Sequence, residues 1–206
     1  GIQSFEPISR SHESQVDILH VGRNQELGCF YYVMELADDA SARSAGTTPT
    51  AQNSTSPSLR YSDSYQPRTV RSDLKQRGRY SFAEAVEISL SLTTALEHLH
   101  KHGLIHRDIK PANVIFVNGR PKLADIGLVT ETGGTMSFVG TEGYLPPEGP
   151  GSVQADLYSL GKTLYEVATG KDRLEFPELP TLTGAPAEEA GLFELNEVLL
   201  KACHPD

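Results

Sequence analysis

The chain has 206 residues, 38% hydrophobic and 22% charged, enough to bury a sizeable core in one domain or most of one. Its formal charge of -9 argues against a general nucleic-acid binder, which needs a basic surface to displace counterions from phosphates, but leaves room for a nucleotide at a local patch. It carries no signal-like leader and no apolar run of the about eighteen residues that a membrane span requires. Cys29 and Cys203 stand far apart without metal-ligand spacing, so two unpaired thiols in a reducing, cytoplasmic setting are expected. The chain starts at Gly1 and stops at Asp206 straight after an apolar helical pattern, which reads as a segment of a longer protein.

Residues 1–12 are mixed in character and end in a polar cluster. Residues 16–21 and 30–36 are β-branched and aromatic and read as two strands, joined as a hairpin through 24–28. From 41 to 66 the composition changes, with seven serines, four threonines, Pro49, Pro57 and Gly46, and almost nothing to bury. This reads as a disordered insertion, either a solvated spacer or a target for phosphorylation. Ser81-Phe82-Ala83-Glu84 is a capping box that starts a helix, because the hydroxyl and the carboxylate each take an orphan amide. Val86, Leu90, Thr93, Leu96, Leu99 and His100 follow at helical spacing, and Gly103 can end the helix in the left-handed conformation. His98 and His102 lie four apart on that helix, a spacing that two metal ligands can share, but no third ligand is evident and structural zinc wants four.

The next stretch, His106-Arg107-Asp108-Ile109-Lys110-Pro111-Ala112-Asn113, places an acid, a cation and an amide in a loop before the apolar residues 114–117. Such an aspartate can take a proton from a hydroxyl nucleophile, Lys110 can neutralise a transferring phosphoryl group, and the Asn113 oxygen can hold a metal ion. Asn118-Gly119 is a two-residue hairpin turn that returns the chain through Lys122-Leu123-Ala124 to Asp125-Ile126-Gly127. That return can bring the oxygens of Asn113 and Asp125 toward one point, where hard ligands suit magnesium. Residues 128–140, with Thr130, Thr132, Thr135 and Ser137, read as a mobile segment. After Gly140-Thr141-Glu142-Gly143-Tyr144-Leu145-Pro146-Pro147-Glu148, a helix is expected from Asp156 through Leu164, Tyr165 and Val167 to Gly170, then loops to Pro186 and a last helix over 192–202.

The order and spacing of these motifs resemble the protein kinase superfamily, most closely the eukaryotic-like serine/threonine kinases of bacteria. The resemblance is dense over 106–161 and looser on the flanks. It implies an α+β, protein-kinase-like fold, with a mostly helical C-terminal lobe and a remnant of the small-lobe antiparallel sheet. On it, 1–36 is the end of the small lobe, 37–40 the hinge, 41–66 an insertion and 67–206 a truncated C-terminal lobe. It implies Asp108, Lys110 and Asn113 as catalytic residues, Asn113 and Asp125 as magnesium ligands, and the backbone at Glu35 and Ala37 as the holder of adenine over Ile115. Arg107, Thr135, Ser137 and Thr141 would serve activation and substrate docking, with Arg107 meeting a phosphate on Thr135 or Ser137. His106 would support Asp125, Gly127 would follow Ile126 in place of the usual phenylalanine, Glu148 would pair with an arginine beyond the chain, and Asp156 would accept backbone amides.

The implied activity is transfer of phosphate from ATP, with Mg2+, to Ser/Thr residues of protein substrates. No nucleic acid and no membrane segment within the chain belong to this picture, although the parent protein could be anchored through segments outside it. A glycine-rich loop and a strand lysine paired with a helix glutamate are also needed, and the residues before His12 contain neither the loop motif nor a lysine. The fragment alone is therefore expected to be inactive. A pseudokinase or scaffold is the alternative, against which the intact Asp108, Asn113 and Asp125 count, and a small-molecule phosphotransferase is opposed by Lys110-Pro111 and the 141–148 stretch.

Overall fold

The computed structural model describes residues 2–41, 65–125, 129–131, 140–181 and 186–204. Most of the Ser/Thr-rich stretch, together with Ile126, Gly127, Thr135 and Ser137, lies outside the described residues. The chain begins with helix α1 (Ile2–Ser9), which the mixed composition of its residues did not announce. Phe5 is fully buried, and the Ser9 hydroxyl accepts from the Ile18 amide at 3.1 Å, so α1 is tied to the strand that follows. Strands β1 (Ile18–Asn24) and β2 (Cys29–Met34) pair antiparallel, with Ile18 opposite Met34 and Asn24 opposite Cys29. Their boundaries are shifted from 16–21 and 30–36: the Val16 amide leaves the hairpin to bond the Leu123 carbonyl, and Asp17 still faces Glu35, whose side chain takes the Asp17 amide.

Helix α2 (Val70–Arg77) follows at Thr69, whose hydroxyl accepts from the Ser72 amide while the Ser72 hydroxyl takes the Thr69 amide. Its companion acid Asp73 is buried against Arg68, with the guanidinium 2.6 Å from the carboxylate and 3.7 Å from the Phe116 ring centre. Helix α3 (Phe82–Lys101) starts at the Ser81/Glu84 capping box. Its buried face runs through Ala85, Ile88, Leu92, Ala95, Leu96 and Leu99, and Leu90 is 63% exposed. The sequence phase through Val86 and Leu90 is therefore corrected. Two alanines lie on the inner face, and a reading by bulk apolar residues alone passes over them.

Arg77 reaches across to Glu84, holding that carboxyl down to about 2 from an ordinary 4.5, with the Ser81 bonds adding to the effect. A lowered folded-state pKa stabilises the protein above the unfolded value and stops doing so as pH falls from 4.5 toward 2. Because the pair is partly exposed, screening limits it to about 0.5–1 kcal/mol. The wild-type advantage over Glu84→Gln, read from urea midpoints, is expected to be present at pH 6 and largely lost by pH 2.

After α3, the chain passes through β3 (Leu104–Ile105), which pairs with β6 (Thr130–Glu131), and through the hairpin of β4 (Val114–Val117) and β5 (Arg120–Leu123). Asn118 and Gly119 take φ of 52° and 78°, as a primed two-residue turn requires. Both turn amides donate to the Asp38 carboxylate at 2.8 Å, which fastens the segment after β2 to this hairpin.

Helix α4 (Val153–Thr169) lies at the centre, and from Ser159 to Thr169 every residue is buried. Its polar groups are satisfied locally: the Thr163 and Thr169 hydroxyls donate one turn back, and Ser159 reaches the Tyr144 carbonyl at 2.8 Å. Helix α5 (Pro186–Ala202) begins earlier than 192 and packs across α4. The approach is tight at Gly161, where an added Cβ would stand 2.6 Å from Cys203 Sγ and 3.3 Å from Ala202 Cβ. Gly161→Ala is accordingly expected to lose about 1–3 kcal/mol by overpacking, despite alanine's better helix propensity, as read by urea unfolding. The helices and small antiparallel pairs together make a mixed α+β fold of the kind the motifs implied.

Candidate active site

The loop between β3 and β4 is held from beneath by Asp156, in the first turn of α4. Asp156 is 1% exposed and accepts the amides of His106 and Arg107, each at 2.8 Å, and His100 Nε2 at 2.8 Å. Arg107 and Asp125 adopt positive φ, 73° and 61°, at a cost of about 1–3 kcal/mol each that the surroundings must offset. Asp156 supplies part of that offset at Arg107. His106 is buried, and burial pushes its pKa down despite the nearby Asp156, Asp108 and Asp125, so the ring is neutral. Its Nδ1 accepts from the Asp108 amide at 3.4 Å, which leaves Nε2–H to donate to the Ala124 carbonyl at 3.1 Å. Thus His106 joins the loop to the residue preceding Asp125.

At the loop's centre, Asp108 is 8% exposed and accepts on both oxygens. The Thr141 hydroxyl donates to Oδ1 at 2.7 Å, while Lys110 Nζ and Asn113 Nδ2 donate to Oδ2 at 2.6 and 2.9 Å. Lys110 also donates to Thr141 at 2.8 Å, closing a triangle of acid, cation and hydroxyl. Burial alone would raise the Asp108 pKa, but the bonds from Lys110, Thr141 and Asn113 outweigh it and hold the carboxyl below its usual range. The group is a carboxylate near neutral pH. The structure thus brings together Asp108, Lys110, Asn113 and Thr141, the last from 31 residues beyond Lys110.

Asn113 and Asp125 come to the same groove because of the β4–β5 register. Val114 opposes Leu123, so the next residues outward face each other, and the Ala124 amide donates to the Asn113 carbonyl at 2.8 Å. With Asn113 Nδ2 committed to Asp108, the amide oxygen is the arm left to face a cation. Among the described residues, no three His, Cys, Asp or Glu side chains gather as a metal cage. One carboxylate with one amide oxygen suits magnesium, which commonly takes one or two carboxylates and completes its shell with phosphates and water.

Asn113 and Asp125 line one side of a groove of about 500 Å3, and Glu35, Ala37 and Ile115 line it as well. The Glu35 carboxylate accepts from Lys122 Nζ at 2.6 Å and the Asp17 amide at 2.8 Å, so this side chain anchors the segment beside the groove. The Ala37 carbonyl accepts from the Tyr65 hydroxyl at 3.0 Å, while among the described residues no protein acceptor takes the Ala37 amide. A planar heterocycle with an acceptor nitrogen fits that amide, above the apolar Ile115.

Arg107, in the same loop, is 5% exposed. Glu148 is exposed and forms no ion pair among the described residues. Sequence reading missed Glu166, a buried acid of α4 that accepts from the Tyr144 hydroxyl at 2.9 Å and lies 3.6 and 3.5 Å from the guanidinium groups of Arg71 and Arg173. A glutamate inside an otherwise buried helix was its sole signal. His100 was read only as a face residue, and its bond to Asp156 depends on a fold contact that spacing does not reveal.

A family model for the protein kinase domain matches residues 60–180. The chain belongs to the protein kinase family. Its relatives include a serine/threonine-protein kinase, PknA, of Nostoc sp., 38% identical over 127 residues, covering 54% of this chain and 22% of that protein. A probable serine/threonine-protein kinase, PknB, of Corynebacterium glutamicum is 34% identical over 122 residues, 53% of this chain and 19% of the relative. The yeast (Saccharomyces cerevisiae) MAP kinase kinase MKK1/SSP32 is 40% identical over 105 residues, 48% of this chain and 21% of the relative. The chain thus aligns with about a fifth of the length of these relatives.

Proposed function

We propose that the protein carrying this chain transfers the γ-phosphate of ATP to serine and threonine hydroxyls of protein substrates. The observation that carries this reading is the Asp108–Lys110–Thr141 triangle, joined through Asn113 to the groove between Asp125 and the residue 35–37 backbone. Asp108 orients the acceptor hydroxyl and takes its proton. Lys110 faces the charge that develops on the transferred group, and Thr141 keeps both side chains in place. Asn113 and Asp125 would hold magnesium, which when bound neutralises phosphate oxygens. The Ala37 amide and Ile115 orient the base of the nucleotide.

The chain alone, without a glycine-rich loop or strand lysine, transfers little or no phosphate. The reading places the protein in the cytoplasm, supported by two free cysteines. Among the described residues, no helix is long and apolar enough to cross a membrane. The test incubates the full-length protein with γ-labelled ATP, Mg2+ and a mixed protein acceptor, followed by phosphoamino-acid analysis. Label on phosphoserine and phosphothreonine is expected. Label only on small-molecule hydroxyls, or nucleotide binding without transfer, would overturn the reading in favour of a small-molecule phosphotransferase or a pseudokinase. Transfer by the isolated chain at ordinary kinase rates would overturn the claim about the fragment.

A further inference from the structure

Beside the Asp108 triangle lies a second depression of about 170 Å3, lined by Lys110, Thr141, Tyr144, Arg173, Ala112 and Arg71 among others. It shares Arg71 and Ala112 with a larger one of about 570 Å3 that runs along α2 past Thr69, Ser72, Lys75 and Gln76 toward Ser41 and Gln66. The lining of these two connected depressions contains Arg71, Lys75, Lys110 and Arg173 and no carboxylate. In a chain of formal charge -9, this is a local reversal of sign.

The cations are only partly neutralised. Glu166, buried beneath, lies against both Arg71 and Arg173, so one carboxylate serves two guanidinium groups. Exposed Asp172, 3.3 Å from Arg173, offsets that residue further. Lys110 is balanced by Asp108. Arg71 keeps a side chain 44% exposed, and Lys75, one turn along the same helix, forms no ion pair among the described residues. An excess positive charge therefore remains on the α2 wall of a channel that reaches Lys110 and Thr141, the two residues bonded to the Asp108 carboxylate.

We propose that Arg71 and Lys75 determine acceptor specificity, selecting peptide segments with acidic residues beside the Ser or Thr. The inference rests on the phosphotransfer function proposed above and names the substrate class that the same site takes. Guanidinium and ammonium groups suit a carboxylate side chain, and they equally suit a phosphate already on the peptide. The channel is open and solvated, so the preference is moderate in size and weakened by salt.

The test uses the full-length protein and four peptides of one length, with a Ser/Thr acceptor flanked by Glu, by phosphoserine, by Lys or by the neutral residue Ala. The Glu peptide is expected to exceed the Lys peptide in kcat/KM by about 5- to 10-fold, with the advantage shrinking as ionic strength rises. Lys75→Glu and Arg71→Ala are each expected to remove most of that advantage while leaving a neutral peptide's kcat within about 2-fold. Lys75 is exposed, so its variant stays informative if Arg71→Ala disturbs Glu166. A larger advantage for phosphoserine than for Glu would assign the channel to previously phosphorylated segments, and the reverse to acidic ones. Transfer with no preference, with a preference for Lys, or with a preference that survives both variants would overturn the inference while leaving the phosphotransfer reading standing. Transfer to none of the peptides nor to any protein acceptor would overturn both.

Discussion

Asp108→Asn in the full-length protein is expected to lower phosphate transfer by about a thousandfold, within the range that proton transfer by a positioned side chain supplies. The carboxylate accepts three bonds, from Thr141, Lys110 and Asn113. An asparagine fills the same space but brings an NH2 group that must face one of those donors, and it cannot take a proton from the acceptor. Nucleotide affinity should stay within a few-fold, because Asp108 is not part of the groove lining that includes Asn113, Asp125 and Ala37. Parallel measurement of transfer and nucleotide binding separates the two effects. Unchanged transfer would remove Asp108 from its role.

Asp156→Ala should be among the most destabilising single changes in the chain. It leaves the His106 and Arg107 amides buried without an acceptor, and each orphaned donor costs about 1–3 kcal/mol. The left-handed Arg107 then loses part of what held it. A total of about 3–5 kcal/mol is expected, a large share of the 5–15 kcal/mol by which domains are usually stable. Asp156→Asn keeps one acceptor oxygen and should lose roughly half as much. Urea unfolding of both variants checks the order. Equal stability of Asp156→Ala and wild type would show that the loop is held by other contacts.

The parts of the molecule legible in the sequence are those whose causes lie close together along the chain. The loop from His106 to Asn113 carries its chemistry in eight consecutive residues, and Asn118-Gly119 specifies a turn that fixes the β4–β5 register. The register in turn brings Asn113 beside Ala124, one residue from Asp125. The capping box at Ser81 likewise marks the start of α3.

Contacts between distant residues were hidden. Helix α2 buries only Val70 and Asp73, so it shows no apolar stripe, and its first-turn partner to Thr69 is Ser72 rather than the glutamate or glutamine of the common signature. Glu166 becomes meaningful only when α4 places it between residues from the first turn of α2, within the 140–148 segment and after α4 itself. The inner face of α3 was misread because Ala85 and Ala95 line it while the larger Leu90 points outward.

The most direct measurement of the central claim is amide hydrogen exchange on the full-length protein with and without MgATP. The account predicts added protection at Ala37 and around Asn113 and Asp125. In an Asp125→Asn variant, the magnesium-dependent part of that protection should be lost. Protection confined to another face of the protein, or protection by MgATP that is unchanged in Asp125→Asn, would contradict the assignment of this groove as the nucleotide site.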